Sequence, residues 1–168
     1  MMILDDDASI STKPKVLIPF LDTFWSLAEE DPYLRVQGGQ DLLVHCFYSS
    51  DHVNIKDTSY ALRRLFDGLS SGRACARQGF ASCLTSFLHI AQSNNTIDRI
   101  LQELTTKEDL SSIHFCLRHL LLKCSTSANK GKTSEERDCA LGRLFGISAI
   151  LRSGMMKDAP STLLQEYL

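Results

Sequence analysis

Cysteines, histidines, clustered acids and arginines are the residues of this chain with chemistry to offer, and their spacing decides what they can do. His114, Cys116, His119 and Cys124 fall within eleven residues, and imidazole and thiolate are zinc ligands. On one helix, however, His114 and Cys116 point to different faces, and no CxxC or HxxxH pair brings four ligands together. They read as core cysteines and surface histidines, and no metal site is expected. Cys75 stands at a helix start between Arg73 and Arg77, where the helix dipole and two cations would favour a thiolate. No base accompanies it, so no catalytic residue is assigned. GlyLysThr at 131–133 resembles the end of a phosphate-binding loop. That loop needs a glycine five positions before Gly131, where Thr126 stands, and a preceding strand. No cofactor site is expected either. The acid runs Asp5-Asp6-Asp7, Glu29-Glu30-Asp31 and Glu135-Glu136 sit at a terminus or at helix ends, where acids cap or are solvated. Two-metal chemistry requires separated carboxylates on a rigid frame.

The arginines remain. YALRRLFDGLSSGRACARQGF, from Tyr60 to Phe80, holds four of them. Arg73 and Arg77 lie one turn apart on one helical face, and Arg63 and Arg64 lie on the preceding helix, so a hairpin could gather several positive charges on one surface. Such a surface would hold phosphates, although no aromatic residues are interleaved with it in the sequence. The competing reading is structural: the arginines pair with acids such as Asp67 or bond helix ends, tying neighbouring helices together.

The elements that must position these residues are helices. Apolar residues recur at helical spacing, and no stretch alternates between hairpin turn pairs. A first helix after Pro19 carries Phe20, Phe24, Leu27 and Ala28. Asp31 followed by Pro32 is an N-cap with proline at the first helical position, opening a second helix through Leu34, Leu42, Leu43 and Phe47. Gly38-Gly39 in its middle predicts a kink or a close helix contact. A third helix, starting after Asp57 or Thr58, carries Leu62, Leu65, Phe66 and Leu69 and ends at Ser71-Gly72, where Gly72 is expected to adopt the left-handed C-terminal conformation. Arg73 begins a fourth with Ala76, Phe80, Leu84, Phe87 and Leu88, giving an αα-hairpin with one shared core. Further helices are read at Ile97–Leu104, Leu110–Lys123, Glu135–Ser153 and Ser161–Leu168, with a polar loop at 125–134. The fold class is therefore all-α, and eight helices in antiparallel pairs suit a HEAT/armadillo-like α-solenoid, with a closed bundle as the runner-up. An internal echo, in which Cys75, Arg77 and Cys83 recur as Cys116, Arg118 and Cys124, is consistent with a repeat.

Composition fits one domain. The chain has 168 residues, of which 43% are hydrophobic and 23% charged, with a formal charge of −2. That is enough to bury a core, and it gives no global attraction to nucleic acid or anionic lipid. No apolar run reaches the length of a membrane span, and MMILDDDASIST lacks the character of a signal peptide. An intracellular chain with six free, mostly buried thiols is expected. Residues 1–15 are expected to be disordered and residues 16–168 to form the helical domain, as the N-terminal portion of a longer protein.

Three segments carry a resemblance. YALRRLFDGLSSGRACARQGFASCLTSFL resembles the N-terminal signature of the DNA polymerase phi family, also called the Myb-binding protein 1A family, with its tyrosine-led helix, arginine pair, glycine-leucine-serine joint and ARxGF continuation. FWSLAEEDPYLRVQGGQDLL is similar to the family's opening helix pair, and ERDCALGRLFGISAILRSGMM to its RLFGxxAxxxSG block. The resemblance implies a much longer helical-repeat protein of the nucleus and nucleolus, non-enzymatic, concerned with ribosomal RNA gene transcription and ribosome biogenesis. Implied partners are transcription factors or other nuclear proteins, and DNA, rRNA or pre-ribosomal particles, with no membrane. Arg63, Arg64, Arg73 and Arg77 are the candidate contacts. The alternative implied by the family name is a DNA-directed DNA polymerase, which would need a carboxylate pair on a sheet and a nucleotide site.

Overall fold

The computed structural model describes residues 18–49, 52–104, 111–124, 133–157, 159 and 163. Residues 1–15 with the Asp5–Asp7 run, the stretch 125–132 with Gly131, and all of the helix read at 161–168 except Leu163 lie outside the described residues. Among those described there are seven helices and no strand: α1 (Thr23–Ser26), α2 (Pro32–Phe47), α3 (Ile55–Gly68), α4 (Ala74–Ser93), α5 (Ile97–Leu104), α6 (Ser112–Lys123) and α7 (Thr133–Arg152). The fold is all-α.

Local chemistry sets the ends. The Asp31 carboxylate accepts the Tyr33 N–H at 2.8 Å with Pro32 at the first position of α2, as the Asp-Pro pair predicts. α3 starts earlier than expected, because Asn54 outcompetes Asp57 as its cap. The Asn54 side-chain oxygen accepts the Asp57 N–H at 3.4 Å, while its amide donates to the Asp57 carboxylate at 2.7 Å. One backbone N–H is capped, and the second bond ties the two side chains together. At the other end of α3, Leu69 keeps right-handed backbone angles and Gly154 is the glycine with positive φ among the described residues. Gly72 therefore does not adopt the left-handed conformation expected of it. The joint Leu69–Arg73 turns without it, using bonds from the Leu69, Ser70 and Ser71 N–H groups to the Phe66, Asp67 and Gly68 carbonyls.

α4 organises the packing. It lies against α3 through the short joint, with α2 along one flank and α7 along the other. α1 packs on α2, α6 on α7 and on α3, and α5 covers α3 and α6. Two layers result, α2–α4–α7 and α1–α3–α6. Leu62, Leu65, Phe66, Phe80, Leu84 and Phe87 share one buried core between them, each such side chain contributing about 1.5–3 kcal/mol on burial. The echoed residues do not share an environment. Cys83 is inside α4 of one layer and Cys124 caps α6 of the other, while Arg77 is buried and Arg118 exposed. The echo is thus no marker of equivalent repeat positions.

Glycines let the layers close. A Cβ on Gly38 would stand 2.5 Å from the Ser26 Cβ, one on Gly68 would enter the Phe80 ring, and one on Gly79 would overlap the Leu27 carbonyl. The Gly38-Gly39 pair is thus a close contact, and α2 runs unbroken through it. Buried hydroxyls add cross-ties: Thr58 donates to the Cys46 carbonyl at 3.2 Å and Ser59 to the Ile100 carbonyl at 3.0 Å. Asp41, also buried, accepts the Ile18 N–H at 2.8 Å and anchors the chain entering α1. No helix among the described residues is long and apolar enough to cross a membrane.

Gly79→Ala forces backbone apart and is expected to destabilise by about 1–3 kcal/mol. Gly72→Ala meets only the Asp138 carboxylate, at ordinary contact distance, and should stay within about 0.5 kcal/mol. Chemical denaturation of the two variants against the parent checks both, and equal losses would contradict the packing described.

Candidate partner-binding face

The four arginines do not share one fate. Arg77 turns inward: it is 5% exposed, although it stands in the first turn of α4. Its Nη1 donates to the Asp138 carboxylate of α7 at 3.1 Å and to the Ser71 carbonyl in the joint, while Nε is buried without a hydrogen-bond partner. A buried guanidinium needs such partners, since an uncompensated charge in the interior is costly. Arg77 therefore ties the hairpin corner to α7, and it does not contribute to an exposed cationic surface. Asp67, the acid suggested as an arginine partner, instead pairs with Lys123 of α6 at 2.7 Å.

Arg63, Arg64 and Arg73 are exposed. Arg73 occupies the N-cap position of α4 and makes no side-chain cap bond. Arg63 and Arg64 stand on the outer face of α3, with Lys56, Tyr60 and Asp67 at helical spacing around them. Arg64 leans toward α1, its guanidinium 5.6 Å from the Phe24 ring centroid. Arg63 lies on the side of α6, close enough to His119 to affect its titration. The fold therefore supplies what the local sequence lacked. Phe20 and Phe24, some forty residues upstream of Arg63 and Arg64, pack edge-on and tilted against Tyr60 with centroids 6.0–6.1 Å apart, so aromatic rings stand directly beside the arginine pair. The sequence signal is the helical stripe of Phe20 and Phe24 in the first helix. What it could not give was the partner helix.

His119 sits between rings: it stacks on Phe115 at 5.5 Å and meets Phe66 edge-on at 5.1 Å, with Nε2 buried and unpartnered. Burial, then Lys123, hold its pKa below 6.5, and Arg63 acts in the same direction while Asp67 opposes them. His114 instead bonds Ser111 at 2.7 Å, and Cys116 and Cys124 are fully buried. Among the described residues no three metal-capable side chains converge. Burial pushes the Cys83 and Cys116 thiols up to about 12 and Cys124 up to about 11. Half-buried Cys75 directs its thiol to the Ala28 carbonyl at 3.6 Å.

Two clefts open on the other layer. One of about 390 Å³ lies between α2 and α4, over Gly39 and Gly79 with Val36 and Leu43 on its wall. A smaller one of about 210 Å³ lies between α4 and α7, lined by Phe145 and Arg152, and the two share Gln78 and Ser82 on α4.

A family model described as DNA polymerase phi matches residues 60–168, beginning at the tyrosine that leads the arginine pair. The chain belongs to the DNA polymerase phi family. It is 32% identical over 143 residues to the rDNA transcriptional regulator pol5 of Schizosaccharomyces pombe, an alignment spanning 85% of this chain and 12% of that protein. It is 33% identical over 137 residues to the rDNA transcriptional regulator POL5 of Saccharomyces cerevisiae, spanning 82% of this chain and 13% of the relative. It is also 29% identical over 146 residues to a Myb-binding protein 1A-like protein of Danio rerio, covering 87% and 10% of the two chains. The chain thus spans about a tenth of the length of these family members. No solved structure matches it.

Arg77→Ala leaves the Asp138 carboxylate, 14% exposed, without its partner and is expected to destabilise by about 3 kcal/mol, against about 0.5 kcal/mol or less for Arg73→Ala. Thermal unfolding of both on the same footing decides it. His119 adds a pH dependence. Its pKa is lowered in the folded state, so the unfolded chain takes up the proton first as pH falls. Stability therefore declines below about pH 6.5 and levels off below the folded value. His119→Leu should flatten that decline in melts taken between about pH 7.5 and about pH 5, and an unchanged slope would remove His119 as its source.

Proposed function

We propose that this chain is a stretch of HEAT or armadillo-like helical repeats from a non-enzymatic nuclear and nucleolar protein that regulates transcription of ribosomal RNA genes and serves ribosome biogenesis. The observation that carries the reading is the family match, whose relatives are named as rDNA transcriptional regulators and Myb-binding proteins. The packing supports the repeat reading: α1 with α2, α3 with α4 and α6 with α7 form successive pairs, α2 meets α4, α4 meets α7 and α3 meets α6, and Phe24 of α1 meets Tyr60 of α3. α5 is an insertion between the second and third pairs. The aspartates support a binding role over catalysis, because those of the described helices hold structure. Asp31 and Asp57 serve caps, Asp41 the chain entry, Asp67 and Asp138 cross-helix ties, and Asp98 bonds Ser112.

In this reading Arg63, Arg64 and Arg73 contact the partner, either acidic groups of a transcription factor or another nuclear protein, or the phosphates of DNA, rRNA or a pre-ribosomal particle. Arg77 holds the corner that presents them. The test replaces the three exposed arginines by alanine in the full-length protein, in cells depleted of the parent, and measures pulse-labelled precursor rRNA. Labelling is expected to fall while the protein stays at its normal level and in the nucleolus. Unchanged labelling removes the arginines as contacts. Unchanged labelling on depletion of the whole protein removes the regulatory reading itself. Template-dependent nucleotide incorporation that is lost with one acid pair would establish a polymerase instead.

A further inference from the structure

We propose that the outer face of α1, α3 and α6 is a track for single-stranded nucleic acid, with bases stacking on Trp25, Tyr60 and Phe115 and phosphates held by Lys56, Arg63 and Arg64. The inference rests on the contact role given above to Arg63 and Arg64, and it names the chemistry of the ligand. Trp25 is 76% exposed, and Leu21, one turn before it, is 59% exposed. At about 100° per residue the pair stands roughly a quarter turn from the Phe20–Phe24 stripe that packs on Tyr60. Thr23, Ser26 and Leu27, on the opposite side of α1, meet Gly38 of α2. Leu21 and Trp25 therefore flank the aromatic contact from the solvent side, next to Arg64. Tyr60 is itself 42% exposed. Phe115 is half-buried, with its ring parallel to His119 across the face from Arg63. Rings on α1 and α6 thus flank the two arginines and Tyr60 of α3, over roughly 20 Å at ordinary helix spacing.

An extended single strand matches that mixture of rings and cations, as unpaired bases with two free π-faces joined by phosphates. A duplex hides those faces within its stack. An acidic peptide with apolar side chains would favour concave pockets, and the clefts described lie on the other layer, between α2, α4 and α7. Asp67 does not oppose an anion there, because Lys123 already neutralises it. The overall charge of −2 confines attraction to this stripe.

Trp25 is the sole tryptophan of the chain, so its emission reports on its own surface. The experiment titrates the 168-residue chain with an oligouridine of about ten nucleotides, following tryptophan fluorescence and, with labelled RNA, anisotropy at several salt concentrations. Quenching at saturation is expected. Trp25→Ala should weaken binding about five-fold or more, and Trp25→Phe should restore most of it. Arg63→Ala with Arg64→Ala should lower the slope of log affinity against log salt by about 1.4. Circular dichroism melts of each variant separate lost binding from lost folding, and a loss confined to variants that have unfolded overturns the proposal. So does saturation without quenching, equal affinity for a duplex of the same length, or quenching by polyglutamate but not by RNA, which would assign the face to acidic protein segments. If these variants bind RNA normally yet precursor rRNA labelling falls, this inference fails and the regulatory reading stands. If RNA binding is lost and labelling is unaffected, the track stands and Arg63 and Arg64 are removed as the contacts through which the protein acts on rRNA synthesis; only unchanged labelling on depletion of the whole protein removes the regulatory reading.

Discussion

The ion pair between Arg77 and Asp138 fixes the corner of the α3–α4 hairpin to α7, some sixty residues on. Arg77 stands in the first turn of α4, its guanidinium reaches back to the Ser71 carbonyl in the joint after α3, and Asp138 belongs to the early part of α7. Because the guanidinium is excluded from water, the pair is geometrically demanding: α7 must sit where its carboxylate can meet it, or a charge is stranded. The corner of the hairpin is thereby held against α7. The outer face of α3, with Arg63 and Arg64, is presented in a fixed orientation as a consequence.

Close approach works with that constraint. The glycines at 38, 68 and 79 bring backbone or ring directly against a neighbouring helix, where denser contact strengthens dispersion and leaves no room for a water layer. Interior hydroxyls answer carbonyls of adjacent helices, so the polar cost of the tight interior is met locally. The result is a division of labour between the layers. One opens two clefts on either side of α4. The other presents Arg63 and Arg64 beside Tyr60 and the rings of α1.

Much of the fold was legible in the sequence because helix signals are local. Asp31-Pro32, the periodic leucines and phenylalanines of α3 and α4, and the polar joint between them identified the hairpin and its core. Asn54 was missed since Asp57 and Asn54 both suit a cap, and only the backbone geometry chooses which side chain reaches which N–H. Gly72 was misjudged because a glycine after a helix often takes positive φ, yet the short joint closed with right-handed turns. The site was less legible. The arginines could be found in the sequence, but whether each faces solvent or interior depends on α7, which lies some sixty residues on. The aromatic neighbours came from α1, beyond the reach of any local window. The apparent echo between Cys75–Cys83 and Cys116–Cys124 shows how identity at a fixed offset can arise without equivalence of layer or burial.

The position of α4 also bears on how strain would travel. α2 and α7 border separate clefts, and α4 lies between them, its Gln78 and Ser82 exposed to both. A group wedged into one cleft would press on a wall of the other, because the same helix lines both. α4 is pinned to the α7 side at both ends, by Arg77 on Asp138 and by His89, whose Nδ1 lies 3.2 Å from the Ser153 carbonyl. Strain entering one cleft would therefore be shared along the whole helix, as load on a beam held at both ends.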